Sequence, residues 1–256
     1  MNFLPVPKLM RWAPSLSQQY LCSQSILVTS GCSFTASTLQ LDCATSWPGY
    51  VLDRCRFDHC IDYSYPGAGN EYIGDSILHA FSQIPDSDID QYMVIVMWSG
   101  IDRKEEKAEG DKMPNINGIT YRRKDKWPKL PPSDREERSK RAAESASKIL
   151  EVYEYLCKRK ILFVFTLYSN LLFAPYIPKR DTAFEFDGYI SKELLNTLQS
   201  LPWIPKKPFD FLYEYAFVND FLNQGDQFHP PVECKLRWTD QVLLPNMSNQ
   251  GLITLL

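Results

Sequence analysis

The chain has 256 residues, of which 44% are hydrophobic and 23% charged, so it is long enough to bury the core of one large α/β domain. Its net charge of −3 at neutral pH gives no electrostatic basis for binding nucleic acid or an anionic membrane. The seven cysteines lack any C-x-x-C pair, which indicates reduced thiols in a cytoplasmic-type compartment. No apolar run has the length of a signal peptide core or a membrane span.

The first hundred residues predict three strands and a helix. Ser25–Thr29 is a short apolar run that ends just before a glycine, which is typical of a buried strand followed by a turn. His59–Tyr65 is a weaker strand candidate, and a loop rich in turn residues follows it. Asn70 is predicted to cap a helix over residues 71–81. The near-continuous apolar run Gln91–Trp98 is typical of a parallel strand covered on both faces.

The rest of the chain predicts longer helices and two excursions from the core. The first excursion, at about 102–132, is charged and proline-rich. A capping box at 133–136 then starts the longest helix, which extends to about residue 158. The later elements are a strand at 161–167, helices near 191–201 and 209–222 within an aromatic and proline-rich excursion at about 170–225, and a last helix after Pro230–Pro231.

This order of strands and helices predicts a single domain over residues 1–256, built as a three-layer α/β/α sandwich with a parallel central sheet. Ligands of such sheets bind beyond the carboxyl ends of the strands. Residues that directly follow a predicted strand are therefore the first candidates for a functional site.

Ser33 follows the first predicted strand within Gly31–Thr35, so its hydroxyl can face a crevice at the carboxyl edge of the sheet. Gly31 permits a tight turn, and N–H groups at the start of a following helix would point at a developing oxyanion. For the pentapeptide alone, a plain turn with the serine as a cap is the commoner explanation. Cys32 is predicted to point away from the crevice, because neighbouring side chains alternate.

Asp226 and His229 form a D-x-x-H motif near the C-terminus. A general base that works near neutral pH is most simply a histidine, and a carboxylate three residues away can orient its ring. The chain has two other histidines, His59 and His79, and neither stands in such a motif. The alternative is a loop in which Asp226 caps a turn.

Together the two motifs resemble the SGNH, or GDSL-like, serine hydrolase family, in which the nucleophile follows the first strand and D-x-x-H precedes the last helix. Trp47–Pro48 with Val51–Leu52 is similar to the W-P block of some members. Gly67 matches the glycine whose N–H serves the oxyanion hole, and the stretch from His229 to Pro245 resembles the closing helix. The resemblance implies a flavodoxin-like fold.

The resemblance also assigns roles to residues. It implies a catalytic triad of Ser33, His229 and Asp226, and an oxyanion hole that includes the N–H groups of Ser33 and Gly67. It implies an esterase that removes O-acetyl or other small acyl groups from a carbohydrate or a small ester through an acyl-enzyme. No metal or organic cofactor is implied.

One position departs from the family pattern. The third block of the family is G-x-N-D, whose asparagine donates to the oxyanion, and here Ile101 occupies the place of that asparagine. A missing donor typically costs about 3 kcal/mol of transition-state stabilisation. Asn70 is the nearest candidate to replace it, unless it only caps the helix, and Arg103 is another.

The sequence therefore supports two hypotheses for the function. The set of Ser33, Asp226 and His229 favours the esterase, whereas Ile101 favours a non-catalytic structural or glycan-binding protein, for example a virion-associated one, that retains the scaffold. Neither reading predicts a nucleic-acid or membrane partner. The aromatic residues of the excursions are predicted to be core or, alternatively, a stacking wall for a sugar; they are Tyr121, Trp127, Phe173, Tyr176 and Trp203.

Overall fold

The computed structural model describes residues 8–11, 20–36, 46–100, 105–107, 115–116, 119–123, 135–170, 172, 188–207, 210–224 and 229–255. The strands are β1 (Lys8–Arg11), β2 (Tyr20–Leu21), β3 (Ile26–Gly31), β4 (His59–Asp62), β5 (Tyr92–Trp98), β6 (Glu105–Lys107), β7 (Asn115–Ile116), β8 (Ile119–Arg123), β9 (Leu162–Leu167) and β10 (Thr254–Leu255). The α-helices are α1 (Trp47–Arg54), α2 (Asn70–Ser82), α3 (Arg135–Lys158), α4 (Lys192–Ser200), α5 (Leu212–Val218), α6 (Val232–Trp238) and α7 (Leu244–Asn249).

The central sheet has the strand order β1-β4-β3-β5-β9. β3, β4, β5 and β9 are parallel, and β1 pairs antiparallel with β4 at one edge. Numbered along the chain, the parallel strands lie in the order 2-1-3-4, which is the flavodoxin-like arrangement. Trp203 adds a single parallel bridge to Phe165 of β9. The fold class that the sequence predicts, a three-layer α/β sandwich with a parallel central sheet, is confirmed.

The strands form where the apolar runs predicted them, because β3 and β5 are buried on both faces. Leu27 and Val28 of β3 are at most 1% exposed, and β5 is fully buried from Met93 to Trp98. A central parallel strand is covered on both faces, so its sequence is apolar throughout rather than alternating with polar residues. Gly31 pairs with Met97 across β3 and β5, so the two strands end at the same level of the sheet.

Helices cover the sheet on both faces. Ser30, which is in register with Val96 and hence with Phe165, contacts Ser76 of α2 through an Oγ–Oγ distance of 2.7 Å. Tyr153 of α3 packs edge-on against Phe165, so α2 and α3 lie on the same face. Helix α1 and the C-terminal helices cover the opposite face.

The longest helix is placed almost as predicted. The stripe of small and apolar side chains expected to face the core is buried in α3, except that Tyr153 is only partly buried. The two residues that open the predicted capping box, Ser133 and Asp134, lie outside the described residues.

The structure departs from the prediction in several elements. Helix α1 was not predicted, although Ser46 caps it by accepting a hydrogen bond from the N–H of Gly49 at 3.2 Å. The charged excursion contains β6, β7 and β8, which form an antiparallel sheet of their own. The helix predicted over 209–222 is shorter, because α5 spans Leu212–Val218 and a 3-10 helix at Phe221–Gln224 follows it.

The described part of the chain contains no helix that is both long and apolar enough to cross a lipid bilayer.

Candidate active site

The turn after β3 presents Ser33 at the carboxyl edge of the sheet. The carbonyl of Cys32 accepts hydrogen bonds from the N–H groups of Thr35 and Ala36, both at 2.9 Å, so the chain makes one helical turn directly after the strand. Cys32 is fully buried and Ser33 is half-buried, as the alternation of side chains predicts. This edge lies between β3 and β5, the point of a flavodoxin-like sheet where ligands bind.

Gly31 makes this turn possible by having no side chain. A Cβ atom at Gly31 would lie 2.7 Å from Cβ of Thr35 and 3.1 Å from the carbonyl oxygen of Met97. Real Cβ atoms essentially never come within 3.0 Å of another heavy atom, so Thr35 of the returning turn fills the space beside Gly31. The predicted role of Gly31 as the residue that permits a tight turn is confirmed.

His229 lies opposite Ser33, although 196 positions separate the two residues in the sequence. The distance from Ser33 Oγ to His229 Nε2 is 2.8 Å, a normal hydrogen-bond length. His229 is half-buried and stands three residues before the first residue of α6. The two side chains therefore lie within hydrogen-bond reach of each other.

Helix α6, which begins three residues after His229, is attached to α1 and to the segment that precedes α5. Trp238 Nε1 donates a hydrogen bond to the carbonyl of Asp210 at 2.7 Å. The indole of Trp238 also packs edge-on against that of Trp47 in α1, with ring centroids 6.4 Å apart. The W-P block and the predicted closing helix are thus in direct contact. Val232, expected on the apolar face of that helix, is instead 42% exposed.

An aromatic stack supports the imidazole from one side. The ring of Phe34 lies 5.2 Å from that of His229 and 4.6 Å from that of Tyr168, on which it stacks. Phe34 is 4% and Tyr168 9% exposed. Tyr168 directly follows β9, so residues at the ends of two strands meet beside the histidine.

The loop after β4 brings Gly67 to the same edge. The N–H of Tyr65 donates to the carbonyl of Gly31 at 3.0 Å, which ties this loop to the end of β3. Tyr65 in turn accepts from the N–H of Ala68 at 3.0 Å, with Pro66 and Gly67 between them. Gly67 has φ of +84°, as the third residue of a type II turn requires.

A buried carboxylate fixes the start of that loop. Oδ1 of Asp62, 2% exposed at the end of β4, accepts from Thr29 Oγ1 and from the N–H of Ser64, both at 2.9 Å. Burial of a carboxylate is costly unless hydrogen bonds satisfy it. The network therefore sets the position of the Gly67 turn relative to β3.

The N–H groups of Ser33 and Gly67 have no acceptor among the residues that the structure describes. The first stands at the start of a helical turn, where N–H groups lack an intrahelical acceptor. Both belong to segments that begin at the carboxyl edge of the sheet, where the hydrogen bond from Tyr65 to Gly31 joins the two segments. These two N–H groups are therefore available to an acceptor bound at this edge.

Asn70 does not cap α2 as predicted, because it is the first residue of the helix and Gly69 is the N-cap. Its side chain reaches across to Ser99, the residue that follows β5. Asn70 Oδ1 accepts from the N–H of Ser99 at 2.8 Å, and Nδ2 donates to the carbonyl of Ser99 at 3.0 Å. The amide is 2% exposed and joins the loop after β4 to the loop after β5.

Glu214 is a buried acidic residue that the sequence did not indicate. It lies in α5, is 1% exposed, and accepts hydrogen bonds from Ser169 Oγ and from the N–H of Asn170, the latter at 2.9 Å. These partners follow β9 and are 44 and 45 positions away in sequence. No local motif connects them, so only the fold reveals the contact.

Several predicted residues cannot be placed. Asp226, Ile101 and Arg103 lie outside the described residues, so the third member of the proposed triad and the departure at Ile101 stay predictions. Of the five aromatic residues of the excursions, only the side chain of Trp203 is described, and at 1% exposure it belongs to the core.

Cys55, His59 and Cys60 are residue types that bind zinc, but their spacing matches no standard zinc site. His59 is exposed at the start of β4, whereas Cys55 and Cys60 are buried, and burial raises the pKa of the Cys55 thiol. Within the described ranges, no three histidine, cysteine or acidic side chains are grouped as metal ligands would be. His79 is half-buried on α2.

No protein-family model matches the chain, and neither does any curated protein. Among solved structures, the chain is similar to the crystal structure of TesA, with 12% identity, a TM-score of 0.42 and coverage of 88% of this chain and 98% of TesA. It is also similar to a proposed acylhydrolase from Bacteroides fragilis NCTC 9343, with 12% identity, a TM-score of 0.40 and coverage of 89% of this chain and 88% of the other.

Proposed function

We propose that the protein is a serine acyl hydrolase that cleaves esters, with Ser33 as its nucleophile and His229 as its general base. The observation that carries the proposal is the 2.8 Å distance between Ser33 Oγ and His229 Nε2 at the carboxyl edge of the sheet. A serine paired with a histidine in this way is the geometry that activates a hydroxyl for attack. The half-exposed position of both side chains leaves room for a substrate.

The first half-reaction forms an acyl-enzyme. Ser33 Oγ attacks the carbonyl carbon of the ester while His229 Nε2 takes the hydroxyl proton. The carbonyl oxygen becomes an oxyanion that accepts hydrogen bonds from the N–H groups of Ser33 and Gly67. When the tetrahedral intermediate collapses, the bond to the alcohol breaks and His229 gives its proton to that alcohol.

The second half-reaction restores the serine. His229 takes a proton from water as the water attacks the acyl carbonyl, and it returns the proton to Ser33 Oγ when the carboxylic acid leaves. In the proposal, Asp226 accepts a hydrogen bond from Nδ1 of His229 and so favours the imidazolium that forms in each step. Phe34, which is itself stacked on Tyr168, packs beside the imidazole and limits its movement.

The substrate class follows from the resemblance to SGNH hydrolases. We propose an O-acyl group on a carbohydrate, or a small ester, as the substrate. The mechanism needs no metal or organic cofactor, because the histidine and the N–H donors supply the proton transfer and the charge stabilisation.

The proposal is tested with p-nitrophenyl acetate, a small activated ester. Ser33→Ala removes the nucleophile but little packing, so we expect kcat to fall about a thousandfold or more while the thermal unfolding midpoint stays nearly unchanged. His229→Ala should cause a loss of similar size, since the two residues act as a unit. Ser200→Ala, which alters an exposed helical serine, is the matched control.

Turnover that survives in Ser33→Ala would place the activity elsewhere and contradict the proposal. A wild-type protein without any turnover of small or glycan esters would instead support the non-catalytic role, as a structural or glycan-binding protein with the same scaffold.

A further inference from the structure

Two neighbouring side chains of the turn after β3 contact the imidazole of His229. Ser33 Oγ lies 2.8 Å from Nε2, and the ring centre of Phe34 lies 5.2 Å from that of the imidazole. A hydrogen bond at one nitrogen fixes the position of that atom but leaves the ring free to turn about it. The packed ring of Phe34 restricts this turning, so one short segment supplies both the nucleophile and a contact that orients its base.

The ring of Tyr168 holds that of Phe34 in place. The two rings stack with their centres 4.6 Å apart and their planes inclined by 29°, and Phe34 is 4% exposed. The backbone of Tyr168 is fixed at both of its polar groups. Its N–H donates to the carbonyl of Trp98, the last residue of β5, at 3.3 Å, and its carbonyl accepts from the N–H of Tyr213 in α5 at 2.9 Å.

The contact between Ser33 and His229 changes during the proposed reaction, whereas the contact with Phe34 does not. Once Ser33 Oγ has given up its proton and carries the acyl group, it is an ester oxygen without a hydrogen to donate. Nε2 of His229 then has to take its proton from water. The ring of Phe34 contains no reacting atom, so it can hold the imidazole in the acyl-enzyme as well as in the free enzyme.

We propose that Phe34 is a positioning residue that orients the imidazole of His229 for the attack of water on the acyl-enzyme, and that Tyr168 acts through Phe34. The second half-reaction therefore depends on Phe34 more than the first, because the serine hydroxyl anchors Nε2 only before acylation. The inference rests on the proposed function, since it requires that Ser33 becomes acylated.

The test separates the two half-reactions of p-nitrophenyl acetate hydrolysis by stopped flow. The initial burst of p-nitrophenol measures acylation of Ser33, and the steady release that follows measures deacylation. We expect Phe34→Leu to slow deacylation on the order of tenfold and acylation clearly less, since a small misplacement of a catalytic group has a large effect on rate. The burst amplitude counts the active molecules, so the two rates do not depend on how much of a variant is folded.

Variants of Tyr168 keep the test open if Phe34→Leu does not fold. Tyr168→Leu removes the stack without touching His229, so we expect the same selective loss of deacylation, of smaller size. Tyr168→Phe keeps the stacked ring and should retain the wild-type ratio of the two rates. Phe163→Leu is the matched control, because this half-buried ring packs on Tyr153 near the start of β9, away from the carboxyl edge. It should also retain the wild-type ratio.

Equal slowing of the two steps in Phe34→Leu or in Tyr168→Leu, or no slowing, would overturn the inference while the proposed function stands. A wild-type protein that releases no p-nitrophenol would overturn the proposed function and this inference with it. The two failures are therefore distinguishable.

Discussion

Gly31 is the residue on which the position of Ser33 depends most directly. The returning turn occupies the space where a side chain would be, with Thr35 Cβ at 2.7 Å and the Met97 carbonyl at 3.1 Å from a Cβ atom at this position. Neither neighbour is the flexible end of a long side chain. Any added atom therefore has to displace the turn or separate β3 from β5.

We expect Gly31→Ala to lower the free energy of unfolding by about 1–3 kcal/mol, the usual cost of overpacking a dense site. It should also lower kcat/KM about tenfold or more, because the displaced turn carries Ser33. Urea unfolding and ester hydrolysis measure the two effects.

Gly74→Ala is the control for overpacking alone, since an added Cβ there would lie 2.5 Å from methylene groups of Lys148 and 3.2 Å from Val152, in the middle of α2. Equal activity in Gly31→Ala and Gly74→Ala would show that the turn tolerates the displacement, against this account.

Among the described residues, three hydrogen bonds attach α5 to the segment after β9. The N–H of Tyr213 donates to the carbonyl of Tyr168 at 2.9 Å, and Glu214 accepts from Ser169 and Asn170. The same segment holds the Tyr168 ring against Phe34. A buried carboxylate in α5 thus supports the aromatic stack beside His229.

We expect Glu214→Ala to lower the free energy of unfolding by about 3 kcal/mol, because it leaves two buried donors without their acceptor. Glu214→Gln should cost less, since it keeps one acceptor oxygen. The control is Glu233→Gln, which removes a surface ion pair with Arg237 and should cost less than about 0.5 kcal/mol. Urea unfolding measures all three, and a Glu214→Ala cost as small as that of Glu233→Gln would contradict the assignment.

The elements that the sequence predicts well are those with long apolar patterns. β5 and α3 bury continuous runs or regular stripes, so pattern and fold agree. Helix α1 was missed because it has eight residues with a proline in its first turn, and β6, β7 and β8 have five residues or fewer. Such short elements depend on tertiary contacts that a local pattern does not contain.

Only part of the candidate site could be predicted from the sequence. Ser33 and His229 were found because each follows or precedes a recognisable element, and a resemblance joined them. The partner of Asn70 could not be predicted, because its contact with Ser99 depends on the order of strands in the sheet rather than on spacing in the chain. Glu214 was missed for the same reason.

At the scale of the whole molecule, the proposed reaction needs groups from distant parts of the chain. Ser33 lies near the N-terminal end of the sequence, His229 near the C-terminal end, and Gly67 on the connection between β4 and α2. The parallel sheet brings them together because its strands end at one edge. We therefore expect Ser33 to be reactive only when the chain is folded.

Labelling with a fluorophosphonate tests whether Ser33 is the nucleophile, since this probe bonds covalently to a serine activated by a histidine. Mass spectrometry of the digested native protein should find one phosphonate on Ser33, and the label should be lost in His229→Ala and in protein unfolded with urea. A label on another residue, or an unlabelled Ser33 in folded wild-type protein, would contradict the assignment of Ser33 as the nucleophile.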